Sequence, residues 1–334
     1  MLNSSSSSAP TMEQADTQTR PFTNPDLTLD GQPRARVGLR GLTTLWFNTG
    51  TLCNIECTNC YIESSPSNDR LVYLSREDVV PFLDEIEVLG YSTSEIGFTG
   101  GEPFMNPEAT GLAELCLERG FEVLILTNAM QPMQRPRVKK ELLRLNGEYA
   151  NRLRLRVSID HYSASLHDEE RGAGTFQRTL DGLLWLADHG FNISIAGRMR
   201  WDETENELRR GYENLFRQHG IKLDAGDPHD VVLFPEMDQS ASVPEITTAC
   251  WGILGVSPDA MMCANSRMVV KRKSASRPVV LPCTLLPYDP DFEMGASLSE
   301  AADVDGDSFE HGKVKLNHPH CAKFCVLGGG ACSG

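Results

Sequence analysis

The sequence has no run of about 18 apolar residues, which is the length that a membrane-spanning helix needs. Its N-terminus also lacks the apolar segment of a secretory signal and begins with Met-Leu-Asn and five serines. Basic residues are not in excess, because 31 lysines and arginines stand against 46 aspartates and glutamates, a net charge of −15. We therefore expect a cytoplasmic protein that contacts neither a membrane nor nucleic acid over a wide surface.

Cysteine, by contrast, is plentiful, with ten residues in a chain of 334. Without a secretory signal the chain is expected in a reducing compartment, where disulfides are rare. The cysteines are also bunched at short spacings, which is typical of metal or cluster ligands. Disulfides are the alternative, but ligation of a metal or cluster is the better interpretation.

Three regions differ in composition. Residues 1–38 are rich in Ser, Thr, Pro, Asp and Gln, and they predict a disordered leader. Residues 39–240 alternate apolar, strand-like runs with amphipathic helical runs. In residues 241–334 this rhythm stops and six cysteines appear. We predict strands at Thr43–Phe47, Glu95–Thr99, Glu122–Thr127, Leu153–Ile159, Asn192–Ala196 and Val231–Phe234.

Six strands in βαβ alternation predict an α/β fold with a parallel sheet and right-handed crossovers. Six units fall short of the eight that close a full barrel. The periodicity therefore leaves two arrangements open, an open doubly wound sheet and a partial barrel.

A cysteine loop follows the first predicted strand. It places Cys53, Cys57 and Cys60 at spacings of four and three residues. Thiolates are the preferred ligands of soft metals and iron–sulfur clusters. A structural zinc normally takes four ligands in closed, paired groups, and no fourth Cys or His lies nearby. The loop therefore predicts a metal centre that keeps one side open.

A second segment, Gly100-Gly101-Glu102-Pro103, follows the second predicted strand. The two glycines permit positive φ angles and a close approach of the backbone to a ligand. Glu102 offers a carboxylate to an ammonium group. An ordinary βα turn is the alternative, since glycine favours turns in any case.

The two segments together resemble the signature of the radical S-adenosylmethionine (radical SAM) enzymes. The resemblance implies a partial (β/α)6, TIM-like barrel with its chemistry at the C-terminal ends of the strands. In that family three cysteines bind a [4Fe-4S] cluster, and the fourth iron receives S-adenosylmethionine. The Gly-Gly-Glu-Pro segment holds the methionine end of this cofactor. Its reductive cleavage gives a 5′-deoxyadenosyl radical, which abstracts hydrogen from a substrate.

Polar residues also end the later predicted strands, where such a fold commonly places site residues. By resemblance, Asn128, Ser158 and Asp160 would contact the cofactor, the last two at the ribose, and Arg198 would meet a carboxylate. Capping of the strand ends is the alternative for each. Two further polar clusters, 160–162 and 227–230, could face the substrate. No general acid or base is assigned.

The C-terminal region has a characteristic layout. Two β-rich runs around a polar turn predict a hairpin, with Cys263 just before it and Cys283 just after it. A Phe-x-x-Gly element and a cysteine-rich tail follow. This layout is similar to the SPASM and twitch modules of radical SAM enzymes, which carry auxiliary iron–sulfur clusters. It departs from their pattern at Pro278, where a turn glycine is expected, and in the late cysteine spacings.

Counting thiolates predicts one auxiliary [4Fe-4S] cluster, because such a cluster takes up to four and six cysteines cannot fill two. The leading ligands are Cys263, Cys283, Cys321 and Cys325, followed by Cys332, and Cys250 is expected to be a bystander. A zinc site with cysteine ligands is the alternative.

The resemblance implies an oxidoreductase-type enzyme that acts on a peptide, a protein or a small molecule. The auxiliary cluster would assist a net oxidation or a rearrangement. An external electron donor such as flavodoxin or ferredoxin would reduce the first cluster. The alternative from another class is a non-catalytic metal-binding or electron-carrier protein.

Overall fold

The structure is a computed structural model that describes residues 20–236, 242–302 and 313–329. Ten β-strands occur in these ranges: β1 (Arg36–Val37), β2 (Thr44–Asn48), β3 (Glu95–Thr99), β4 (Glu122–Thr127), β5 (Leu153–Ser158), β6 (Asn192–Met199), β7 (Val231–Pro235), β8 (Ser266–Val270), β9 (Val279–Leu281) and β10 (Val314–Lys315). The α-helices of the same ranges are α1 (Arg76–Val88), α2 (Ala109–Glu118), α3 (Gln131–Gln134), α4 (Pro136–Tyr149), α5 (Ala164–Arg171), α6 (Thr175–Asp188), α7 (Glu205–His219), α8 (Cys250–Leu254) and α9 (Leu298–Ala302).

One eight-stranded sheet organises the molecule, in the order β7-β6-β5-β4-β3-β2-β8-β9. Strands β2 to β7 pair in parallel and follow their sequence order without a reversal. A doubly wound sheet reverses its strand order near the middle. The partial (β/α)6 barrel is therefore confirmed and the doubly wound alternative is wrong.

The predicted strands agree with the structure to within one residue at five of six positions. The exception is β6, which continues three residues beyond Ala196 to Met199. It does so because Arg198 and Met199 still pair with Phe234 and Pro235 of β7. Arg198 is thus an internal residue of a strand rather than the residue after it.

The predicted hairpin is present and consists of β8 and β9, which pair in antiparallel fashion. It does not stand apart from the barrel sheet. Strand β8 pairs in parallel with β2, with Thr44 opposite Ser266 and Phe47 opposite Val269. The cysteine-rich C-terminal region therefore contributes two strands to the same sheet as the first cysteine loop.

The described part of the predicted leader, residues 20–38, is folded against the C-terminal region. Strand β1 pairs with β10, and the buried Arg34 donates hydrogen bonds to the Leu316 carbonyl and the Glu245 carboxylate. The prediction of disorder is therefore wrong for this stretch. It rested on the low content of apolar residues, whereas the hydrogen bonds of the buried Arg34 hold the stretch in place.

Helix α1 begins at Arg76, directly after a capping box between Ser75 and Asp78. Pro81 lies inside it. Four glycines that follow helical runs, Gly90, Gly120, Gly190 and Gly220, have positive φ. Among the described residues, no helix is both long and apolar enough to cross a membrane.

Close packing between helix α6 and the loop after β4 generates a stability prediction. A Cβ at Gly182 would lie 2.0 Å from the Ala129 carbonyl oxygen, whereas a Cβ at Gly111, in α2, would meet nothing within 4 Å. Gly111→Ala should raise the free energy of unfolding by up to about 1 kcal/mol, because alanine favours a helix. Gly182→Ala should lower it by about 1–3 kcal/mol through overpacking.

Denaturant unfolding of both variants in the same metal-loading state measures this difference. Equal effects of the two substitutions would show that α6 does not approach the β4 loop this closely.

Candidate active site

A cavity of about 170 Å³ lies at the C-terminal ends of the parallel strands. It brings together the three cysteines of the first loop, both glycines of the second segment and polar residues from the ends of β4, β5 and β6. Of the predicted site residues, it is lined by Cys53, Cys57, Cys60, Gly100, Gly101, Asn128, Ser158, Asp160 and Arg198. Glu102 and Pro103 do not line it.

Hydrogen bonds with the residues that follow it hold the cysteine loop. The Cys53 amide donates to the Ser65 carbonyl at 3.0 Å, and the Ser64 amide donates to the Cys60 sulfur at 3.3 Å. Burial raises the pKa of the Cys53 thiol to about 12, with a further contribution from Glu102, and burial raises that of Cys57 to about 11. A cationic centre must therefore supply the free energy that ionises these thiols.

The donor set fits an iron–sulfur cluster. Three cysteine sulfurs face one cavity, and thiolates are its usual ligands. In the described residues, no three His, Cys, Asp or Glu side chains converge on the position of a single metal ion. A cluster does not require such convergence, since each of its thiolates binds a different iron.

The two glycines are needed for contact with the chain that leads into the cysteine loop. Gly100 has φ of 140°, and a Cβ there would lie 2.5 Å from the Gly50 carbonyl oxygen. A Cβ at Gly101 would lie 2.2 Å from the Leu52 carbonyl oxygen. The Gly101 amide donates to Gly50 at 2.8 Å. Any side chain at either position would push the cysteine loop away from β3.

Glu102 does not reach the cavity, contrary to the expectation that it offers a carboxylate to a ligand. Its buried oxygens accept hydrogen bonds from the Thr127 hydroxyl and the Asn128 amide, both at 2.8 Å, and from the Phe104 amide at 3.3 Å. Because these donors surround it, the carboxyl joins the ends of β3 and β4 instead. Burial nevertheless raises its pKa to about 7.

Asn128 connects this buried carboxyl to the cysteine loop. Its side-chain amide donates to the Asn54 oxygen at 2.9 Å and lies 3.8 Å from the Cys53 sulfur. Helix α6 supports it, because the Thr179 hydroxyl donates to the Asn128 carbonyl at 3.0 Å. The predicted position of Asn128 at the site is therefore explained by contacts on both sides.

Two residues that were predicted to contact a ligand form ion pairs within the chain. The Asp160 carboxylate accepts two hydrogen bonds from Arg171, at 2.7 and 2.9 Å, and the arginine holds the pKa of this buried carboxyl below its usual range. Arg198 donates to Glu170 at 2.7 Å and to Glu236 at 3.4 Å. Ser158 lines the cavity without such an ion pair.

Sequence reasoning missed Glu170 and Arg171, which also line the cavity. They are the last two residues of helix α5 rather than residues at a strand end. Site residues of such a fold are expected at strand ends, and the spacing of two residues at the end of a helix gives no comparable signal.

The two other polar clusters contribute only Asp160 to the cavity wall. His161 is buried and contacts Glu203 and Ser163 through its ring nitrogens, at 2.5 and 3.0 Å. In the loop before β7, Asp227 and Asp230 accept bonds from neighbouring backbone amides. The remaining residues of both clusters do not line the cavity.

A second, smaller cavity lies in the C-terminal region. Four predicted auxiliary ligands, Cys263, Cys283, Cys321 and Cys325, line it together with His320 and apolar side chains. The Cys250 sulfur lies outside it and accepts a hydrogen bond from the Thr247 amide. Burial raises the pKa of Cys263 to about 11 and that of Cys321 to about 12. Cys332 lies outside the described residues.

The two cavities share a wall. Leu285, two residues after Cys283, lines both of them. Phe324 lines the first cavity, while its neighbour Cys325 lines the second. The Phe324 ring stacks on Phe234 of β7 with 5.9 Å between ring centroids. The C-terminal region thus forms part of the wall of the first cavity.

Comparison with known proteins gives related sequences for the barrel. The family model of the radical SAM superfamily matches residues 47–210. The subtilosin biosynthesis protein AlbA of Bacillus subtilis is 32% identical over 145 residues, 43% of this chain and 30% of its own length. The 7-carboxy-7-deazaguanine synthase of Methanopyrus kandleri is 32% identical over 123 residues, 32% of this chain and 44% of its own. The matches thus span less than half of these relatives.

Structural similarity to solved proteins covers more of the chain than these sequence matches do. Streptococcus suis SuiB bound to the precursor peptide SuiA superposes with a TM-score of 0.57 and 14% identity, over 80% of this chain and 65% of that one. At this identity the likeness establishes the fold alone.

The fold and the site define a partial-barrel protein with a thiol-lined cofactor cavity at the strand ends. Residues 47–210, which carry the cysteine loop and the glycine segment, match the radical SAM superfamily. This superfamily uses a [4Fe-4S] cluster and S-adenosylmethionine, and the prediction of these two cofactors is confirmed.

The buried carboxyl of Glu102 generates a pH prediction. Its pKa is about 7 in the folded chain and about 4.5 when unfolded. The folded state therefore binds more protons between these values, and stability is lost as pH rises through them. The wild type should lose about 3 kcal/mol relative to Glu102→Gln between pH 4.5 and 7, at about 1.4 kcal/mol per pH unit.

Urea unfolding of both proteins across this pH range measures the effect. The glutamine also disturbs hydrogen bonds, but that cost does not depend on pH. A constant difference between the two proteins would contradict the burial of an ionisable carboxyl at this position.

Proposed function

We propose that this protein is a radical SAM enzyme that oxidises or rearranges a peptide substrate with the help of an auxiliary [4Fe-4S] cluster. The observation that carries the proposal is the shared wall between the two cysteine-lined cavities. A substrate in the first cavity would lie beside the site of cofactor cleavage and against the region that holds the second group of cysteines.

The residues of the first site have separable roles in this proposal. Cys53, Cys57 and Cys60 would hold a cluster that supplies the electron for reductive cleavage of S-adenosylmethionine. Gly100 and Gly101 line the cavity and would present their backbone to the methionine end of that cofactor. Ser158 offers a hydroxyl at the cavity wall for the ribose.

One part of the cavity wall is apolar and would suit an apolar group of the substrate. Leu126, Phe234, Leu285 and Phe324 line it, and the nearby charged groups of Asp160 and Arg198 are paired within the chain. A sugar would require hydrogen-bond partners there, because buried hydroxyls without partners are costly. An apolar side chain of a peptide meets no such cost.

Two relatives agree with a peptide substrate: AlbA is described as a bacteriocin biosynthesis protein, and SuiB binds a precursor peptide. The synthase of a deazaguanine represents the small-molecule alternative. If a short reading frame adjoins the gene, its peptide co-expressed with this enzyme should lose hydrogen mass. A rearrangement would keep the mass but change the fragmentation pattern of the peptide. A mass and a fragmentation pattern that are both unchanged with active enzyme would favour a small molecule.

The auxiliary ligands in this proposal are Cys263, Cys283, Cys321 and Cys325. All four line one cavity, whereas Cys250 does not. With four thiolates the cluster would have no open iron. It would then accept electrons from a substrate radical rather than bind the substrate, which suits a net oxidation.

Anaerobic reconstitution tests both cluster sites. The wild type should contain iron and sulfide for two clusters and should form 5′-deoxyadenosine from S-adenosylmethionine when reduced with dithionite. Replacing Cys53, Cys57 and Cys60 by alanine should halve the iron content and abolish this product. Formation of no 5′-deoxyadenosine by the fully loaded protein would favour a non-catalytic metal-binding protein.

A matched pair of single variants tests the second site. Cys325→Ala should lower the iron content towards one cluster, because it removes one of four thiolates. Cys250→Ala should retain both clusters. If anaerobically purified protein contained zinc in place of the second cluster, the second site would not be an iron–sulfur site.

A further inference from the structure

One buried carboxylate, that of Glu170 at the C-terminal end of α5, contacts the cysteine loop between Cys57 and Cys60. Its side chain is completely buried. Oε1 accepts hydrogen bonds from the Asn59 amide at 2.9 Å and from Arg198 at 2.7 Å. Oε2 accepts bonds from the Asn59 side-chain nitrogen at 2.9 Å and from Arg200. One oxygen therefore joins the cysteine loop to strand β6, and the other joins it to the residue directly after β6.

The backbone at the end of α5 adds to this contact. The Thr58 amide donates to the Glu170 carbonyl at 2.8 Å. Thr58 and Asn59 are the two residues between Cys57 and Cys60. The segment between these cysteines is thus bound mainly by Glu170. The Thr58 hydroxyl also donates to the Glu169 carbonyl, and Arg198 donates to the Asn59 carbonyl, both at 3.4 Å.

The charges explain why this position needs a carboxylate. A buried carboxylate is stable only with partners for its charge and its lone pairs. Two arginines supply the charge, and the four donors fill the acceptor sites of both oxygens. Arg198, which the sequence suggested as a contact of a ligand carboxylate, instead meets this carboxylate of the chain itself.

We propose that Glu170 is a positioning residue that fixes the Cys57–Cys60 segment in the geometry required for cluster binding. It touches neither the cluster nor a substrate in this role and acts through Asn59 and Thr58. The expected effect on cluster binding rests on the proposed function, whereas the anchoring of the loop is a property of the chain alone.

Glu170→Gln tests the proposal, with Glu169→Gln as the matched control. Glutamine has one acceptor oxygen, and its amide nitrogen would face donors of Asn59 and an arginine. Glu169 is the preceding residue, is about half exposed and lies 3.7 Å from Arg200. In the described structure its carboxylate accepts no hydrogen bond from the cysteine loop. Only its backbone carbonyl does, from the Thr58 hydroxyl, so the side-chain substitution should leave the loop unchanged.

The first measurement is amide hydrogen exchange of the peptide that contains residues 57–60, in iron-free protein. Loss of hydrogen bonds to a charged group should accelerate exchange there about tenfold or more in Glu170→Gln. Glu169→Gln should match the wild type. This result does not depend on a cluster, so it stays informative even if the proposed function fails.

The second measurement is the rate at which a chelator removes iron from the reconstituted protein. Loss of a group that orients a metal ligand typically costs ten- to a hundredfold in affinity, and we expect a faster release of this order in Glu170→Gln. The electron paramagnetic resonance spectrum of the reduced cluster should also change. Asn59→Ala should shift both readouts in the same direction but less.

A purely structural role for Glu170 makes a different prediction. Glu170→Gln would then lower the melting temperature, while loop exchange and iron release would match those of Glu169→Gln. That combination would overturn the proposal. Wild-type protein that binds no cluster would instead refute the proposed function and leave the exchange result to decide on the anchoring.

Discussion

The contact between the backbone of residues 50–52 and the two glycines at the end of β3 is the constraint on which the site depends. Parallel pairing of β2 and β3 places their C-terminal ends side by side. The chain that leads into the cysteine loop can then pack directly against Gly100 and Gly101. Because these residues have no side chain, there is space for the Gly50 and Leu52 carbonyls. The thiols and the glycine segment become two walls of one cavity for this reason.

The polar residues around that cavity satisfy one another. Arg171 pairs with Asp160, Arg198 and Arg200 pair with Glu170, and Glu102 is enclosed by backbone and hydroxyl donors. Because buried charges are costly without partners, these pairs hold the strand ends and the cysteine loop in place. The wall also offers thiols, the Ser158 hydroxyl and apolar side chains to a cofactor or a substrate.

The local features of the chain were predictable from sequence, and most of the long-range contacts were not. Hydrophobic periodicity located β2 to β7, and the cysteine and glycine segments located one end of the cavity. Periodicity carries no information on partners, however, so the sequence suggested that Asp160, Arg198 and Glu102 face ligands. The structure pairs each of them with a residue on another element. Arg34 likewise becomes buried only because β1 meets β10, which composition cannot reveal.

The pairing of β8 with β2 bears on what the second group of cysteines can do. The first cysteine loop follows the C-terminal end of β2, whereas Cys263 precedes the N-terminal end of β8, and the two strands run parallel. A strand of five residues spans about 16 Å. Two centres at opposite ends of these strands would be too far apart to bind one reacting atom together. Electron transfer tolerates such a separation, so under the proposed function an auxiliary centre held there would accept electrons rather than anchor a substrate.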